Sequence, residues 1–131
     1  DVYDDLDDMD IRSYVQVKKI PGGRQDESRL VHGVVCSKSV CHKRMLQPLR
    51  HAKIMLLAAS IAYERDAHNK LIAIEPVLLQ EDEYLRNCVG KILLHRPDVV
   101  LVEKSVSRRA QDYLCDAGVT LATNVKPAVM E

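Results

Sequence analysis

Four groups of side chains in this 131-residue sequence have the types that chemistry needs. Cys36-x4-Cys41-His42 offers thiols and an imidazole, the ligands zinc prefers. Its spacing departs from Cys-x2-Cys, and no second cluster completes a four-ligand set. Cys41 and His42 are also sequence neighbours, which does not aim one side chain at the other, and no Gly-x-Ser-x-Gly elbow is present, so nucleophilic catalysis is not expected. Glu103-Lys104 follows the apolar run Asp98–Val102, at the strand end where open α/β sheets carry active residues. An exposed or mutually paired dipeptide is the simpler reading, and the preferred one. Asp1, Asp4, Asp5, Asp7, Asp8 and Asp10 resemble a calcium loop in charge but lack its central Gly and terminal Glu. Lys38, His42, Lys43, Arg44, Arg50, His51 and Lys53 form the main basic feature. Such a patch can meet lipid or nucleic-acid phosphates, or an acidic protein surface. Met45, Leu46 and Leu49 interrupt it, which favours a solvated loop.

These residues must be positioned by elements whose pattern is legible. Val15 and Val17 alternate within Tyr14–Ile20, as in a strand, and Pro21-Gly22-Gly23 then turns the chain. Leu30–Cys36 reads as a second short strand, so the two are expected to form a hairpin with a long polar loop. Lys53–Ala58 is a continuous apolar run of buried-strand type, and Leu71–Ile74 reads as another strand ending before Pro76. From Gln80 to His95 the positions Leu85, Cys88, Val89, Ile92 and Leu93 describe one helical face, with Glu81, Asp82 and Glu83 placed in its first turn. Asp98–Val102 is the next strand. Ser105 is the expected N-cap of a helix with Val106, Ala110, Tyr113, Leu114 and Ala117 on its inner stripe, Arg108 and Arg109 outside, and Gly118 at its end. Val119–Thr123 follows as a strand. Strand–helix–strand–helix–strand implies a parallel sheet. Parallel strands suggest a nucleotide site, but neither Gly-x-Gly-x-x-Gly nor a P-loop follows any of them.

Composition narrows the reading further. The length fits one compact domain, and 47% of residues are apolar, nearly all aliphatic. With no Phe, no Trp and five Tyr, the composition argues against modules that stack bases on several aromatics, and no nucleic-acid partner is expected. Nineteen basic and nineteen acidic residues give zero net charge. Six of those acids lie in residues 1–10, so residues 11–131 carry nineteen bases against thirteen acids, a net +6. Residues 1–10 are therefore expected to be an acidic flexible linker. No apolar run reaches membrane-spanning length, so no transmembrane contact is expected. The four scattered cysteines fit reduced cytosolic thiols. Without Met or a leader at its start, the sequence reads as a piece of something longer.

Several long strings carry a resemblance. KKIPGG (Lys18–Gly23), GVVCSKSVCHKRM (Gly33–Met45), KIMLLAASIAYE (Lys53–Glu64) and RPDVVLVEKSVSRRAQDYL (Arg96–Leu114) resemble the apical domain of group II chaperonins, over about Asp10 to Pro127. HKRM, where chaperonin subunits usually carry Pro after His, and VEKSVSRRAQ, where they carry an EKGIS-type string, make the sequence most similar to the chaperonin-like domain of the PIKfyve family of FYVE-finger phosphatidylinositol 3-phosphate 5-kinases. The fold class this implies is α/β and apical-domain-like: a β-sandwich-like body with a parallel βαβαβ segment and flanking helices, over residues 11–131.

The same resemblance implies a non-catalytic scaffold or protein-interaction domain. Its parent kinase would make phosphatidylinositol 3,5-bisphosphate from the 3-phosphate lipid, on the cytosolic side of endosomal membranes. No cofactor or metal is expected in this segment; ATP and magnesium belong to the parent's kinase domain. The implied partners are proteins, a regulatory lipid phosphatase and its scaffold. In chaperonins the helix matching Ser105–Ala117 faces the substrate, and Glu131 falls where a second groove helix would begin, so an incomplete groove is expected. Tyr63–Tyr84 matches the lid protrusion but is shorter and contains Pro76, which argues against a lid. Arg108, Arg109 and Asp112 on the outer face of the Ser105–Ala117 helix are the expected partner contacts. Lys38, Lys43, Arg44, Arg50 and Lys53 form the possible basic patch, with the solvated-loop reading preferred to lipid binding. The alternative is the apical domain of a cytosolic group II chaperonin subunit that binds unfolded polypeptide.

Overall fold

The computed structural model describes residues 10–15, 17, 19, 21–64 and 74–131, in two compact units, residues 1–33 and 34–131. In the first unit Asp10 Oδ1 accepts from the Arg12 backbone N–H at 3.1 Å and from Arg12 Nε at 3.0 Å, closing a 3-10 turn over Ile11–Ser13. After Pro21, Gly22 and Gly23 take φ of +95° and +78°, the region where a Cβ is costly. The Arg24 N–H donates to Glu27 Oε2 at 3.1 Å across a second 3-10 turn, Gln25–Glu27. Residues 1–9 of the acidic segment, and Gln16, Lys18 and Ile20 of the expected first strand, lie outside the described residues.

The expected hairpin is corrected at its second strand. Leu30–Cys36 is irregular, and Leu30, Val31, Val34 and Val35 are all exposed. Aliphatic, β-branched composition favours extended backbone, but a strand also needs a ladder partner and a face to bury. Among the described residues neither is supplied to Leu30–Cys36.

The second unit is built on a parallel sheet. Strand β1 (Ile54–Leu57) pairs with β2 (Val99–Val102), which pairs with β3 (Thr120–Ala122), in the spatial order β1-β2-β3. Ile54 lies opposite Val99 and Val99 opposite Thr120, so each row of side chains crosses the sheet on one face. Helix α1 (Ile74–Leu94) connects β1 to β2, and α2 (Arg108–Asp116) connects β2 to β3. Beyond β3 lies a one-turn helix, α3 (Pro127–Met130), opened by a proline whose missing N–H is needed by no bond there. The parallel βαβαβ segment with flanking helices is thus the observed architecture.

One face of the sheet carries the core. Val100 and Val102 of β2 and Leu121 of β3 pack with Leu85, Val89 and Ile92 of α1 and with Ala110, Leu114 and Cys115 of α2. Met45 closes this core from a 3-10 turn, Lys43–Met45, and the Cys41 N–H donates to Leu121 O at 2.9 Å, covering the free edge of β3. The opposite row on β1 is open: Ile54 and Leu56 are 58% and 51% exposed.

Two helix starts differ from the expectation. Helix α1 begins at Ile74 rather than Gln80, with Pro76 inside its first turn, where the lost N–H has no helical acceptor in any case. Ile74 is therefore helical, and Leu71–Ala73, the rest of that expected strand, lie outside the described residues. The earlier start puts Glu81, Asp82 and Glu83 two turns into the helix, away from its positive end. Helix α2 is capped by Ser107, whose Oγ accepts from the Ala110 N–H at 3.3 Å, and not by Ser105. Ser105 and Val106 instead meet Ile61 in an isolated parallel bridge, through Ile61 N–H to Ser105 O at 3.0 Å and Ser107 N–H to Ile61 O at 2.8 Å. The i, i+4 spacing of Val106 and Ala110 therefore does not mark one helix face. Ala117 is exposed at the C-cap, and Gly118 follows it with φ +77°.

Candidate interaction surface

Helix α2 has nine residues, fewer than an isolated helix needs in water. Its position is set by Ala110, Leu114 and Cys115 underneath, and by Gln111 Nε2, which donates to Val106 O at 2.9 Å. That packing turns Arg108, Arg109 and Asp112 outward. The Arg108 side chain is 85% exposed and lies 3.7 Å from Asp112, an i, i+4 pair weakly held in water. Arg109 is half-exposed and leans the other way, with Nη1 3.6 Å from Asp82 Oδ1 on α1. The three expected contact residues thus share one helix, but only Arg108 and Asp112 face each other.

Asp82 is the centre of an α1–α2 clamp. Its carboxylate accepts from the Tyr113 hydroxyl and, at 2.8 Å, from Arg86 Nε, while the Arg86 guanidinium sits 4.8 Å from the centre of the Tyr113 ring. The Tyr113 hydrogen bond, then the one from Arg86, holds the Asp82 carboxyl below the usual carboxylate range. The same hydrogen bond pushes the Tyr113 phenol up, with burial adding to it, and Asp82 raises Arg86. Sequence reasoning missed this cluster. The i, i+4 spacing of Asp82 and Arg86 was a usable signal for one pair, whereas the approach of Tyr113 across the helix interface has no local signature.

The basic residues are less uniform than their sequence suggests. Arg44 Nη2 is 3.0 Å from Asp116 Oδ1, and that bond, with Cys115 nearby, raises the guanidinium further. Lys53 Nζ donates to His95 O at 2.7 Å, and its backbone N–H to Asp98 Oδ2 at 2.7 Å. His42 Nδ1 accepts from the Arg44 N–H, capping the turn. Lys38, Lys43 and Arg50 are exposed, without a side-chain partner among the described residues. A depression of about 170 Å³ lies beside Arg44, lined by Gln47, Leu49, Cys115 and Thr120 among others.

Chemistry elsewhere is sparse. Cys36, Cys41, Cys88 and Cys115 are all free thiols, and among the described residues no three His, Cys, Asp or Glu converge as a metal site would need. Glu103 and Lys104 act through their backbones: the Glu103 N–H donates to Leu57 O, and Lys104 O accepts from the Asn124 N–H. Among the described residues no helix is long and apolar enough to cross a membrane.

A parallel β1-β2-β3 sheet with α1 and α2 packed on one face defines an α/β domain of the βαβαβ type. The sequence profile of the TCP-1/cpn60 chaperonin family matches residues 2–131, and the chain belongs to that family. Its fold is similar to that of a group II chaperonin from Methanococcoides burtonii solved as an open-state monomer: TM-score 0.60, 25% identity, covering 83% of this chain and 22% of that one. Within the family its sequence is similar to human 1-phosphatidylinositol 3-phosphate 5-kinase, 49% identical over 131 residues, the whole of this chain and 6% of that protein. It is similar also to the T-complex protein 1 subunit gamma of Caenorhabditis elegans, 31% identical over 125 residues, 91% of this chain and 23% of that protein. The chain therefore spans a small part of each of these relatives.

Proposed function

We propose that this chain is the chaperonin-like interaction domain of a larger 1-phosphatidylinositol 3-phosphate 5-kinase. In this reading the parent transfers a phosphoryl group from ATP, with magnesium, to phosphatidylinositol 3-phosphate on endosomal membranes. The domain itself carries out no phosphoryl transfer. It serves as a scaffold on the cytosolic side for a regulatory lipid phosphatase and that phosphatase's own scaffold protein, with the outer face of α2 as contact. The observation that carries it is the identity of 49% across the whole chain with a 5-kinase, against 31% with a T-complex subunit.

The physical case for α2 is that its inner residues fix it rigidly while Arg108 and Asp112 stay largely in solvent. A polar rim of this kind contributes specificity and encounter rate more than bulk affinity. The test is co-precipitation of the phosphatase and its scaffold by the chain and by its Arg108→Glu/Arg109→Glu variant. Loss of capture by the variant is expected. Unchanged capture removes α2 as the site, and failure of the unaltered chain to capture either protein removes the scaffold reading. Suppression of aggregation of a chemically denatured client would instead favour the apical domain of a cytosolic chaperonin subunit, as the archaeal structural likeness allows.

A further inference from the structure

The solvent face of α1 carries a pattern that the fold of one chain does not explain. Leu85, Val89 and Ile92 turn inward to the core. Leu79, Glu83, Asn87, Gly90 and Leu94, spaced by four, four, three and four residues, therefore run along the outer side for about 20 Å. All five are exposed, as is Lys91. Leu79 and Leu94 leave large apolar side chains in solvent. Gly90 sits in the helix interior, where only proline is less favourable. A Cβ built on it meets nothing within 4 Å, so no packing within the chain calls for glycine there. What a glycine at such a position permits is the close approach of another backbone.

The charges on this face are few and ordered. Glu83 and Lys91 have no side-chain partner among the described residues. The neighbouring charges are committed elsewhere: Arg86 to Asp82 at 2.8 Å, and Lys53, at the helix end, to His95 O at 2.7 Å. Glu81 lies about 160° round the helix from Glu83. Glu83 and Lys91 stand four residues either side of Asn87, with Leu79 and Leu94 beyond them. Apolar, acid, amide, base, apolar: read in reverse, the stripe is its own complement. We infer that this face pairs with the same face of a second copy of the chain, the two α1 helices antiparallel about a two-fold axis beside Asn87. Glu83 of each copy then faces Lys91 of the other, so the ion pair is made twice. The Asn87 amide, donor and acceptor at once, meets its counterpart on the axis, and Gly90 leaves room for the approach. Ridges of residues four apart, packed side by side, are the commonest contact between helices. One charge of each sign gives an anionic membrane or a uniformly charged partner no net attraction, whereas the same stripe reversed supplies both complements. A single helix face falls short of the ~1,000 Å² of a stable interface, so the pairing is weak, with monomer prevailing at about 10 μM. The outer face of α2 takes no part, and the inference does not rest on the function proposed for it.

The test is sedimentation equilibrium of the whole chain in low salt, from about 10 to about 1,000 μM, where a monomer–dimer equilibrium is expected. Glu83→Lys or Lys91→Glu alone sets like charges against each other at both contacts and should weaken pairing about tenfold. The two changes combined in one chain should restore the parent's affinity. Mixed as separate chains, the two single variants should pair with each other more tightly than either pairs with itself. Gly90→Ala should raise the thermal midpoint of the monomer, because alanine is the better helix former, and yet weaken pairing. These positions are exposed, so circular dichroism should show the parent's fold in every variant. A monomer throughout, as if the face served a different protein, would overturn the inference. So would a single charge variant or Gly90→Ala that pairs as the parent does, or a combined variant no tighter than the single ones.

Discussion

Leu114→Ala tests whether α2 is held from beneath, as any role for its outer face requires. Leu114 is fully buried, and with Ala110 and Cys115 it makes up the buried residues of a nine-residue helix. The substitution leaves a cavity between α2 and the sheet, and a buried Leu→Ala change costs about 3–5 kcal/mol once transfer and cavity effects are combined. Domains of this size are stable by about 5–15 kcal/mol, so the loss is a large fraction of the total. At roughly 3–4 °C per kcal/mol for a domain of intermediate size, the thermal midpoint should fall by roughly 10 °C or more. Urea unfolding followed by circular dichroism is the assay, with an unchanged slope and a lower midpoint expected. Leu79→Ala is the control, because that side chain on α1 is 71% exposed, and its midpoint should stay close to the parent. A loss below about 1 kcal/mol for Leu114→Ala, or equal losses for both variants, would refute the packing argument, because a solvent-accessible or collapsible site costs little.

Two further outcomes follow from the local geometry. Ser107→Ala should cost about 1 kcal/mol in the same unfolding assay by removing the cap of α2, while Ser105→Ala should leave stability nearly unchanged; the reverse order would contradict the cap assignment. The lowered Asp82 carboxyl, held first by Tyr113 and then by Arg86, contributes stability in full above about pH 4, lost as pH falls through its folded value. Asp82→Asn should flatten that acid limb in pH-dependent unfolding, and superimposable limbs for parent and variant would remove the clamp.

Sequence and structure agree where a segment can satisfy itself locally or by one dominant pattern. Val99–Val102 is nearly all β-branched and apolar, the stripe from Leu85 to Ile92 has helical period, and Gly118 supplies the left-handed residue after α2. Each of these was legible because it depends on propensity and burial pattern. The helix starts were not, because a cap is chosen by competition. Ser105 and Ser107 are equivalent as capping residues, and the decision between them was made by Ile61, forty-odd residues away, whose backbone bonds to both. Leu30–Cys36 failed for a related reason: its residues favour a strand, but the strand's existence depends on partners the local sequence does not name. The site follows the same division. That Arg108 and Asp112 face outward could be read from the stripe beneath them, whereas Arg109 is shared with Asp82, and Asp82 with Tyr113, only because α1 and α2 are packed on one sheet face. An outer face built this way is specified jointly: Arg108 and Asp112 present charge, and the Asp82 clamp fixes the helix from which they present it. On the docking role proposed for α2, Asp82→Asn or Tyr113→Phe should weaken capture of the partner although neither residue is a proposed contact, and unchanged capture by both would separate the clamp from that role.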